Sequence, residues 1–127
     1  MSLKARLEAA RIACGANAEP AVVAAMANRG LWVGGSAAHA VKAGDWAPAF
    51  AVRRVALSDL LRRGPAVISF VRGHWCAFCA LELRALAEIH ADIRRLGATL
   101  VALSPHTEDS GEFDAGFRDS FADNNSE

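Results

Sequence analysis

The stretch A-V-I-S-F-V-R-G-H-W-C-A-F-C, residues Ala66 to Cys79, contains the start of the pattern that decides the fold. Residues 66–71 form an apolar run that is mostly β-branched or aromatic, which is typical of a buried strand in a parallel sheet. Helical periodicity follows and stops at Gly97, a residue suited to the left-handed conformation that closes a helix. Residues 99–103, T-L-V-A-L, predict the next buried strand. A strand, a helix and a strand at this spacing predict a βαβ unit, so we expect an α/β fold with a parallel sheet at its centre.

The helix predicted between these strands carries apolar residues on a wide arc, while charged residues fill its remaining face. One apolar row consists of Leu81, Ala85, Ile89 and Leu96. A second row consists of Cys79, Leu83, Leu86, His90 and Ile93. The charged face consists of Arg84, Glu88, Asp92 and Arg95. We expect both apolar rows to face the core.

The region upstream of this unit predicts an N-terminal helical extension. Residues 2–29 have helical character, and Pro20 begins a second segment within them. An apolar row on the first segment consists of Leu3, Leu7, Ala10 and Cys14. The stretch G-L-W-V-G-G-S, residues 30–36, predicts a connection. We therefore expect a helical extension over residues 1–43 and a compact domain over residues 44–127.

Two further helices are predicted within that domain. The segment S-D-L-L-R-R, residues 58–63, is a short helical piece that ends at Gly64. Later in the chain, Asp109 and Glu112 have the spacing of a capping box, which predicts a helix start. Three phenylalanines at helical spacing lie along one side of this acidic helix: Phe113, Phe117 and Phe121. We interpret them as a core contact rather than a cofactor site.

The composition of the 127 residues excludes several classes of partner. The 14 basic side chains balance 14 acidic ones, so no net field attracts nucleic acid or an anionic membrane. No apolar run reaches the roughly 18 residues of a membrane span, and the start M-S-L-K-A-R-L-E-A-A-R lacks the apolar core of a secretion signal. We therefore expect a cytoplasmic protein whose partners are small molecules or other proteins. In the cytosol, a close cysteine pair is more often catalytic or metal-binding than a structural disulfide.

Cys76 and Cys79 lie where the buried strand is predicted to end and the helix to begin. Unpaired N–H groups and the helix dipole favour an anion there, which lowers the pKa of a thiol. Arg72 and His74 add positive charge just upstream. We expect the sulfur of Cys76 to point outward and attack, and the sulfur of Cys79 to resolve the mixed disulfide or sulfenic acid that forms on Cys76. The pair is therefore a candidate redox centre.

The spacing of the two cysteines is also compatible with two other interpretations. Cys-x-x-Cys supplies two ligands of a tetrahedral zinc site, but no second paired spacing of cysteine or histidine supplies the other two. The two residues can also be core side chains without chemistry, because free cysteines are common in cores. We expect redox chemistry, with no metal and no cofactor. We interpret Cys14 as inert packing rather than a third redox partner.

Two neighbours of the pair have two interpretations each. Trp75 can shield the nucleophile or offer a flat docking surface, or it can pack on the strand ends. Glu82, one turn after Cys79, can relay protons during thiol exchange. The more ordinary interpretation of Glu82 is a partly exposed surface carboxylate.

Several stretches of the chain occur in an order that is familiar from known proteins. They are M-S-L-K-A-R-L, K-A-G-D-W-A-P-A-F, L-S-D-L-L-R-R-G-P-A-V-I-S-F, R-G-H-W-C-A-F-C-A-L-E-L-R-A-L and L-G-A-T-L-V-A-L-S-P-H-T, and they cover most of residues 1–107. In this order they resemble the peroxiredoxin-like branch of the alkyl hydroperoxide reductase and thiol-specific antioxidant (AhpC/TSA) family, within the thioredoxin-fold superfamily. The block R-G-x-W-C-x-x-C-x-x-E-L is the specific one.

The resemblance implies a fold, an activity and a partner. The fold is a three-layer thioredoxin-like arrangement with a central sheet and an N-terminal helical extension. The activity is the reduction of hydroperoxides by Cys76 and Cys79, and the partner is thioredoxin or a similar dithiol that reduces the pair again.

Two departures from the family pattern bear on the pair. Ala77 stands where the family usually has proline, which is expected to alter the helix start and the redox potential of the pair. Typical peroxiredoxins have threonine three residues before the peroxidatic cysteine, and Cys76 occupies that place relative to Cys79. In a strict register Cys79 would meet the peroxide, so the order of attack stays open, with both cysteines catalytic.

The end of the chain departs further from the resemblance. The thioredoxin fold normally continues into an antiparallel strand pair and a closing helix, and we expect this domain to be truncated before them. An incomplete sheet leaves an exposed edge, which favours a homodimer. Two other functions therefore stand beside the peroxidase: a protein disulfide reductase that uses the same pair, and a catalytically silent domain that acts by binding a partner.

Overall fold

A computed structural model describes residues 1–73, 75–105 and 110–112, with residues 26 and 29–35 described by their backbone alone. Two helices come first, α1 (Leu3–Asn17) and α2 (Pro20–Ala37). A short hairpin, β1 (Ala51–Val52) and β2 (Val55–Ala56), leads into α3 (Leu57–Arg63). The elements that follow are β3 (Ala66–Phe70), α4 (Ala77–Glu88), α5 (His90–Arg95), β4 (Thr99–Leu103) and β5 (Gly111–Glu112).

The strands β3 and β4 form the predicted parallel pair, with Ala66 opposite Thr99 and Phe70 opposite Leu103. The strand β5 pairs antiparallel with β4, so the sheet has the order β3-β4-β5. The predicted bounds of β4 agree with the structure, and β3 ends one residue earlier than predicted. The expectation that β3 is a buried strand was wrong, because Val67 is 37% exposed and Phe70 is 77% exposed. The parallel pair and the helices between its strands confirm the βαβ unit and the α/β class.

Alternate residues of β4 face opposite sides of the sheet, and each side is covered by a helix. Leu100 and Ala102 lie in one buried cluster, together with Leu83 of α4. Val101 and Leu103 lie in a second cluster, together with residues that include Leu60 of α3. The sheet therefore has α4 on one face and α3 on the other, which confirms the three-layer, thioredoxin-like expectation.

The segment between β3 and β4 consists of two helices rather than one. They are separated at Ile89, which has φ −106° and ψ 7°. The second predicted row does face the core, where Cys79 and Leu83 are buried. The expectation that the first row also faces the core was wrong, because Ile89 is 48% exposed and Leu96 is 79% exposed. A helix packed on one face of a sheet buries a single stripe, so the later residues of the first row lie in solvent.

Two glycines follow helices at one end of the sheet. Gly97 has φ 78° and follows α5, and Gly64 has φ 142° and follows α3, both where the sequence predicts a helix end. A Cβ atom on Gly64 would overlap the carbonyl oxygen of Gly97. The two backbone segments therefore approach each other more closely than any other residue at position 64 permits.

The helix α1 begins after Ser2, whose hydroxyl accepts a hydrogen bond from the N–H of Ala5 at 3.3 Å. It packs against α4, and a guanidinium nitrogen of Arg6 lies 3.4 Å from a carboxylate oxygen of Glu88 across this contact. Three residues of the predicted apolar row are half-buried: Leu3, Leu7 and Ala10. Cys14 is exposed, so its interpretation as a packed residue was wrong. The half-buried residues of α1 end at Ala10, and the turn that carries Cys14 lies in solvent.

The helix α2 begins at Pro20, as predicted, because proline at the first helical position loses no hydrogen bond. It continues through residues 30–36 to Ala37, so the predicted connection there was wrong. A glycine inside a helix costs about 1 kcal/mol relative to alanine, and the alanines of α2 favour the helix that surrounds these glycines. Neither α2 nor any other helix in the described ranges is long and apolar enough to cross a membrane.

The capping box of Asp109 and Glu112 predicts that Glu112 lies in the first turn of a helix, and this prediction was wrong for Glu112. This residue lies in β5, opposite Val101 of β4, and strand pairing there replaces the helical hydrogen bonds that a capping box would begin. The predicted helical row of Phe113, Phe117 and Phe121 lies outside the described residues, as does Asp109.

Candidate active site

Cys76 caps the amino end of α4. Its Sγ accepts a hydrogen bond from the backbone N–H of Cys79 at 3.4 Å, and its own N–H donates to the carbonyl oxygen of Gly73 at 3.1 Å. Gly73 has φ 141°, a conformation that favours glycine, and it lies in the turn between β3 and α4. The local sequence therefore places the first sulfur against the unpaired N–H groups of a helix start, as predicted.

Both cysteines are buried, and both are free thiols. Cys76 is 3% exposed and Cys79 is 7% exposed, and both belong to the cluster that contains Val71 and Leu83. The expectation that the sulfur of Cys76 points outward was wrong, because the first turn of α4 packs into this cluster. Cys79 lies one turn into the helix, as expected.

The pKa of the Cys76 thiol lies below its ordinary value. Burial acts to raise this pKa, but the hydrogen bonds that its sulfur accepts from the thiol and the N–H of Cys79 lower it, and so does the positive charge of Arg72. These stabilising contacts outweigh burial, so Cys76 has more thiolate at neutral pH than an ordinary cysteine has.

The pKa of the Cys79 thiol is raised instead. Burial is the main cause, and the neighbouring Cys76 raises it further. The backbone N–H of Arg72 donates to the Sγ of Cys79 at 3.3 Å, which opposes these effects without cancelling them. The two sulfurs, one helical turn apart, therefore differ in protonation: the thiolate is favoured at Cys76 and the protonated thiol at Cys79.

Arg72 and Trp75 lie beside the pair and contact each other. The guanidinium carbon of Arg72 is 4.7 Å from the centroid of the Trp75 ring, which is a cation–π geometry. Trp75 is 66% exposed, which disfavours the interpretation that it packs on the strand ends. His74, the other residue predicted to add positive charge, lies outside the described residues.

Ser69 and Glu82 connect β3 to α4 on the same side of the sheet as the cysteines. Ser69 is 5% exposed, and its hydroxyl donates to a carboxylate oxygen of the half-buried Glu82 at 2.8 Å. Glu82 is therefore tied to the core rather than freely solvated. Sequence reasoning missed Ser69, although a lone polar residue within an apolar strand was a signal of a buried hydrogen bond.

The zinc interpretation gains no ligands from the fold. Among the residues that the structure describes, no three histidine, cysteine, aspartate or glutamate side chains are grouped so that they could hold a metal ion. Cys76 and Cys79 are surrounded by apolar side chains, and the N–H of Cys79 donates a hydrogen bond to the Sγ of Cys76.

The site lies inside a segment that matches a known family. The model of the AhpC/TSA family matches residues 38–116, which is more than half of the 127-residue chain and includes both cysteines of the pair. No curated protein and no solved structure matches the chain.

Proposed function

Since the chain belongs to the AhpC/TSA family, a family of thiol-dependent oxidoreductases, we propose that it reduces hydroperoxides with Cys76 and Cys79 as its redox pair. The observation that supports this proposal is the position of Cys76 at the start of α4, where its Sγ accepts a hydrogen bond from the N–H of Cys79 at 3.4 Å; this contact also acts to lower the pKa of Cys76. The thiolate is the nucleophile in such reactions, so the lowered pKa assigns the attack to Cys76. Cys79 then resolves.

In the first step, the Cys76 thiolate attacks an oxygen of the hydroperoxide. A sulfur–oxygen bond forms and the oxygen–oxygen bond breaks. The second oxygen leaves as an alkoxide or hydroxide, which takes a proton from water and becomes an alcohol or water. Cys76 is thereby oxidised to a sulfenic acid. The N–H of Cys79, 3.4 Å from the sulfur, stabilises the thiolate before the attack.

In the second step, the Cys79 sulfur attacks the sulfenic sulfur of Cys76. A disulfide bond forms, and the hydroxyl group of the sulfenic acid leaves with the proton of the Cys79 thiol as water. The position of Cys79 one turn further along α4 suits this step, because its backbone already contacts the sulfur of Cys76.

In the third step, an external dithiol reduces the disulfide, and thioredoxin or a protein like it is the partner we propose. One sulfur of the dithiol attacks Cys76, and Cys79 leaves as a thiolate and takes up a proton. The second sulfur of the dithiol then attacks the mixed disulfide, which releases the Cys76 thiolate and leaves the partner oxidised.

The burial of Cys76 favours a small peroxide over a protein disulfide as the oxidant. Thiol–disulfide exchange requires access of a second protein's sulfur to the attacking thiolate. Cys76 is 3% exposed, so a hydroperoxide of a few atoms reaches the reduced pair with less rearrangement of the surrounding chain than a protein disulfide requires. The dithiol of the third step requires the same access, so we propose that the site opens once the disulfide has formed.

Steady-state consumption of hydrogen peroxide with a dithiol donor tests the proposal. We expect turnover that Cys76→Ser abolishes. Without the dithiol, Cys79→Ser should consume one equivalent of peroxide and hold a sulfenic acid on Cys76. Cys14→Ser is the matched control and should retain the turnover of the parent protein, because Cys14 lies exposed on α1.

A parallel assay with a protein disulfide as substrate distinguishes the alternatives. Reduction of that disulfide without peroxide turnover would favour the disulfide reductase. Turnover of neither substrate would favour a silent domain that binds a partner.

A further inference from the structure

The backbone of Arg72 is held directly against the candidate pair. The preceding residue, Val71, donates its N–H to the carbonyl oxygen of Leu103 at 2.8 Å and is 2% exposed, so the chain is fixed at this point. Arg72 then donates its own N–H to the Sγ of Cys79 at 3.3 Å. Main-chain geometry therefore places Arg72 at the sulfurs whatever its side chain does.

The side chain of Arg72 has an aromatic neighbour and no acidic one within the part of the chain that the structure describes. Its guanidinium carbon lies 4.7 Å from the centroid of Trp75, and none of the described ion pairs includes it. A ring holds a guanidinium group in place without neutralising its charge. The charge of Arg72 is thus free to act on the thiols, and it acts to lower the pKa of each.

From this geometry we propose that Trp75 is a positioning residue, which holds the Arg72 guanidinium beside Cys76 and Cys79 so that this one arginine stabilises whichever sulfur is charged. The inference rests on the proposed function, since it assigns the device that tunes the redox pair. We call Arg72 and Trp75 the arginine clamp.

Arg72 serves two different steps of the cycle, the first through the clamp and the second through its backbone. Before peroxide arrives, the charge is on Cys76, and the guanidinium of Arg72 stabilises it. When the external dithiol attacks the disulfide at Cys76, the sulfur–sulfur bond breaks and its electron pair stays on Cys79. The N–H of Arg72, 3.3 Å from that sulfur, then stabilises the leaving thiolate.

Few other charged groups face the pair in the described structure. Glu82, on α4 after Cys79, is bonded to Ser69. The ion pair of Arg6 with Glu88 lies at the far end of α4, about 18 Å along the helix from Cys76 at 1.5 Å per residue. That distance exceeds the screening length of about 8 Å at physiological salt, so we assign the electrostatic control of Cys76 to Arg72 rather than to α1.

Titration of the Cys76 thiolate, followed by its ultraviolet absorbance in a Cys14→Ser background, tests the clamp. Arg72→Met should raise the pKa of Cys76 by about 0.5 to 1 unit, because it removes the nearby positive charge. Trp75→Leu should shift the pKa in the same direction by a smaller amount, since the guanidinium then moves freely. The double variant should show no larger shift than Arg72→Met alone, because the two residues act as one unit.

Arg94→Met is the matched control. It also removes one arginine charge, but from the last turn of α5, and it should leave the pKa of Cys76 unchanged. Trp75→Phe keeps an aromatic ring, so the pKa of Cys76 should stay close to that of the parent protein. Thermal unfolding of each variant verifies that the protein folds, and Arg72→Gln replaces Arg72→Met if that variant does not fold.

Two results would overturn the clamp. One is an unchanged pKa in Arg72→Met, and the other is additive shifts for the two substitutions, which would show that Trp75 and Arg72 act separately. A failure of the proposed function is distinguishable from either result. In that case the parent protein would turn over no peroxide, while the thiolate titration would still show the shifts.

Discussion

The N-terminal helices and the βαβ unit are both rich in apolar side chains, yet only the second region builds a core. The helix α1 has no buried residue, and Val22 and Val23 on α2 are 49% and 43% exposed. In β4, by contrast, Leu100, Val101 and Ala102 are at most 2% exposed. The difference teaches that position, rather than apolar content, creates the buried surface here, because β4 lies between β3 and β5 and has a buried cluster on each face.

The cysteines follow the same division. Cys14 on α1 is exposed, whereas Cys76 and Cys79 are buried at the junction of β3 and α4. Burial, the hydrogen bonds within the buried pair and the charge of Arg72 shift the pKa values of its two thiols. The chemistry we propose therefore belongs to the region that packs.

Among the substitutions that compare the two regions, Leu100→Ala is expected to lower the free energy of unfolding most. Leu100 is 2% exposed in the cluster that contains both active-site cysteines, and truncation of a buried leucine costs about 2 to 5 kcal/mol of unfolding free energy. Urea denaturation measures the loss. Val22→Ala on α2 is the control and should change stability by less than about 0.5 kcal/mol. Equal losses for the two variants would show that α2 is as tightly packed as the sheet.

The next largest effect on the free energy of unfolding is expected from two glycine substitutions, one beside the sheet and one on α1, which should change stability in opposite directions. Gly64→Ala should destabilise the protein by about 1 to 3 kcal/mol, because φ is 142° and the new Cβ would overlap the carbonyl oxygen of Gly97. Gly15→Ala lies in open space on α1 and should stabilise that helix by up to about 1 kcal/mol. Thermal unfolding of both variants compares them, and a loss of stability in Gly15→Ala would contradict the exposed position of α1.

Ser69→Ala is expected to have a smaller effect. It removes the hydrogen bond to Glu82 and leaves a half-buried carboxylate with one partner fewer, which costs about 1 kcal/mol. Chemical denaturation of Ser69→Ala, of Glu82→Gln and of the double variant measures the coupling. Fully additive losses would mean that the two side chains do not interact in solution.

The smallest effect is expected at the contact between the two regions. The ion pair of Arg6 with Glu88 is long, at 3.4 Å, and the Glu88 side chain is 64% exposed. A double-mutant cycle with Arg6→Met and Glu88→Gln should give a coupling of about 0.2 to 1 kcal/mol that falls with added salt. A larger coupling that salt does not reduce would indicate that α1 is anchored to α4 more firmly than the structure suggests.

Much of the βαβ unit was predictable from the sequence because its signals are local. Contiguous apolar runs mark β3 and β4, and Gly97 marks the helix end. The burial that such a run predicts on both faces holds for β4 but not for β3, where Phe70 is 77% exposed. Proline at position 20 likewise marked the start of α2. The spacing of Cys76 and Cys79 placed them correctly at the helix start.

The features that the sequence did not reveal depend on contacts between distant segments. The strand at Glu112 forms only because β4 is beside it, and the burial of Cys76 depends on the cluster around Val71 and Leu83. The break at Ile89 carries no glycine or proline that a reader of the sequence would find. The boundary between residues 43 and 44 stays a prediction, as do the cytoplasmic location and the homodimer.

Cys14 provides an internal reference for the measurement that tests the central claim most directly. The reduced protein is mixed with one equivalent of hydrogen peroxide at neutral pH, and peptide mapping at successive times follows the oxidation of all three cysteines. We predict that the disulfide between Cys76 and Cys79 forms before Cys14 is oxidised, because the lowered pKa of Cys76 raises its thiolate fraction and Cys79 lies one helical turn away. Oxidation of Cys14 at the same rate as the pair, or before it, would contradict the assignment of peroxide chemistry to the buried site.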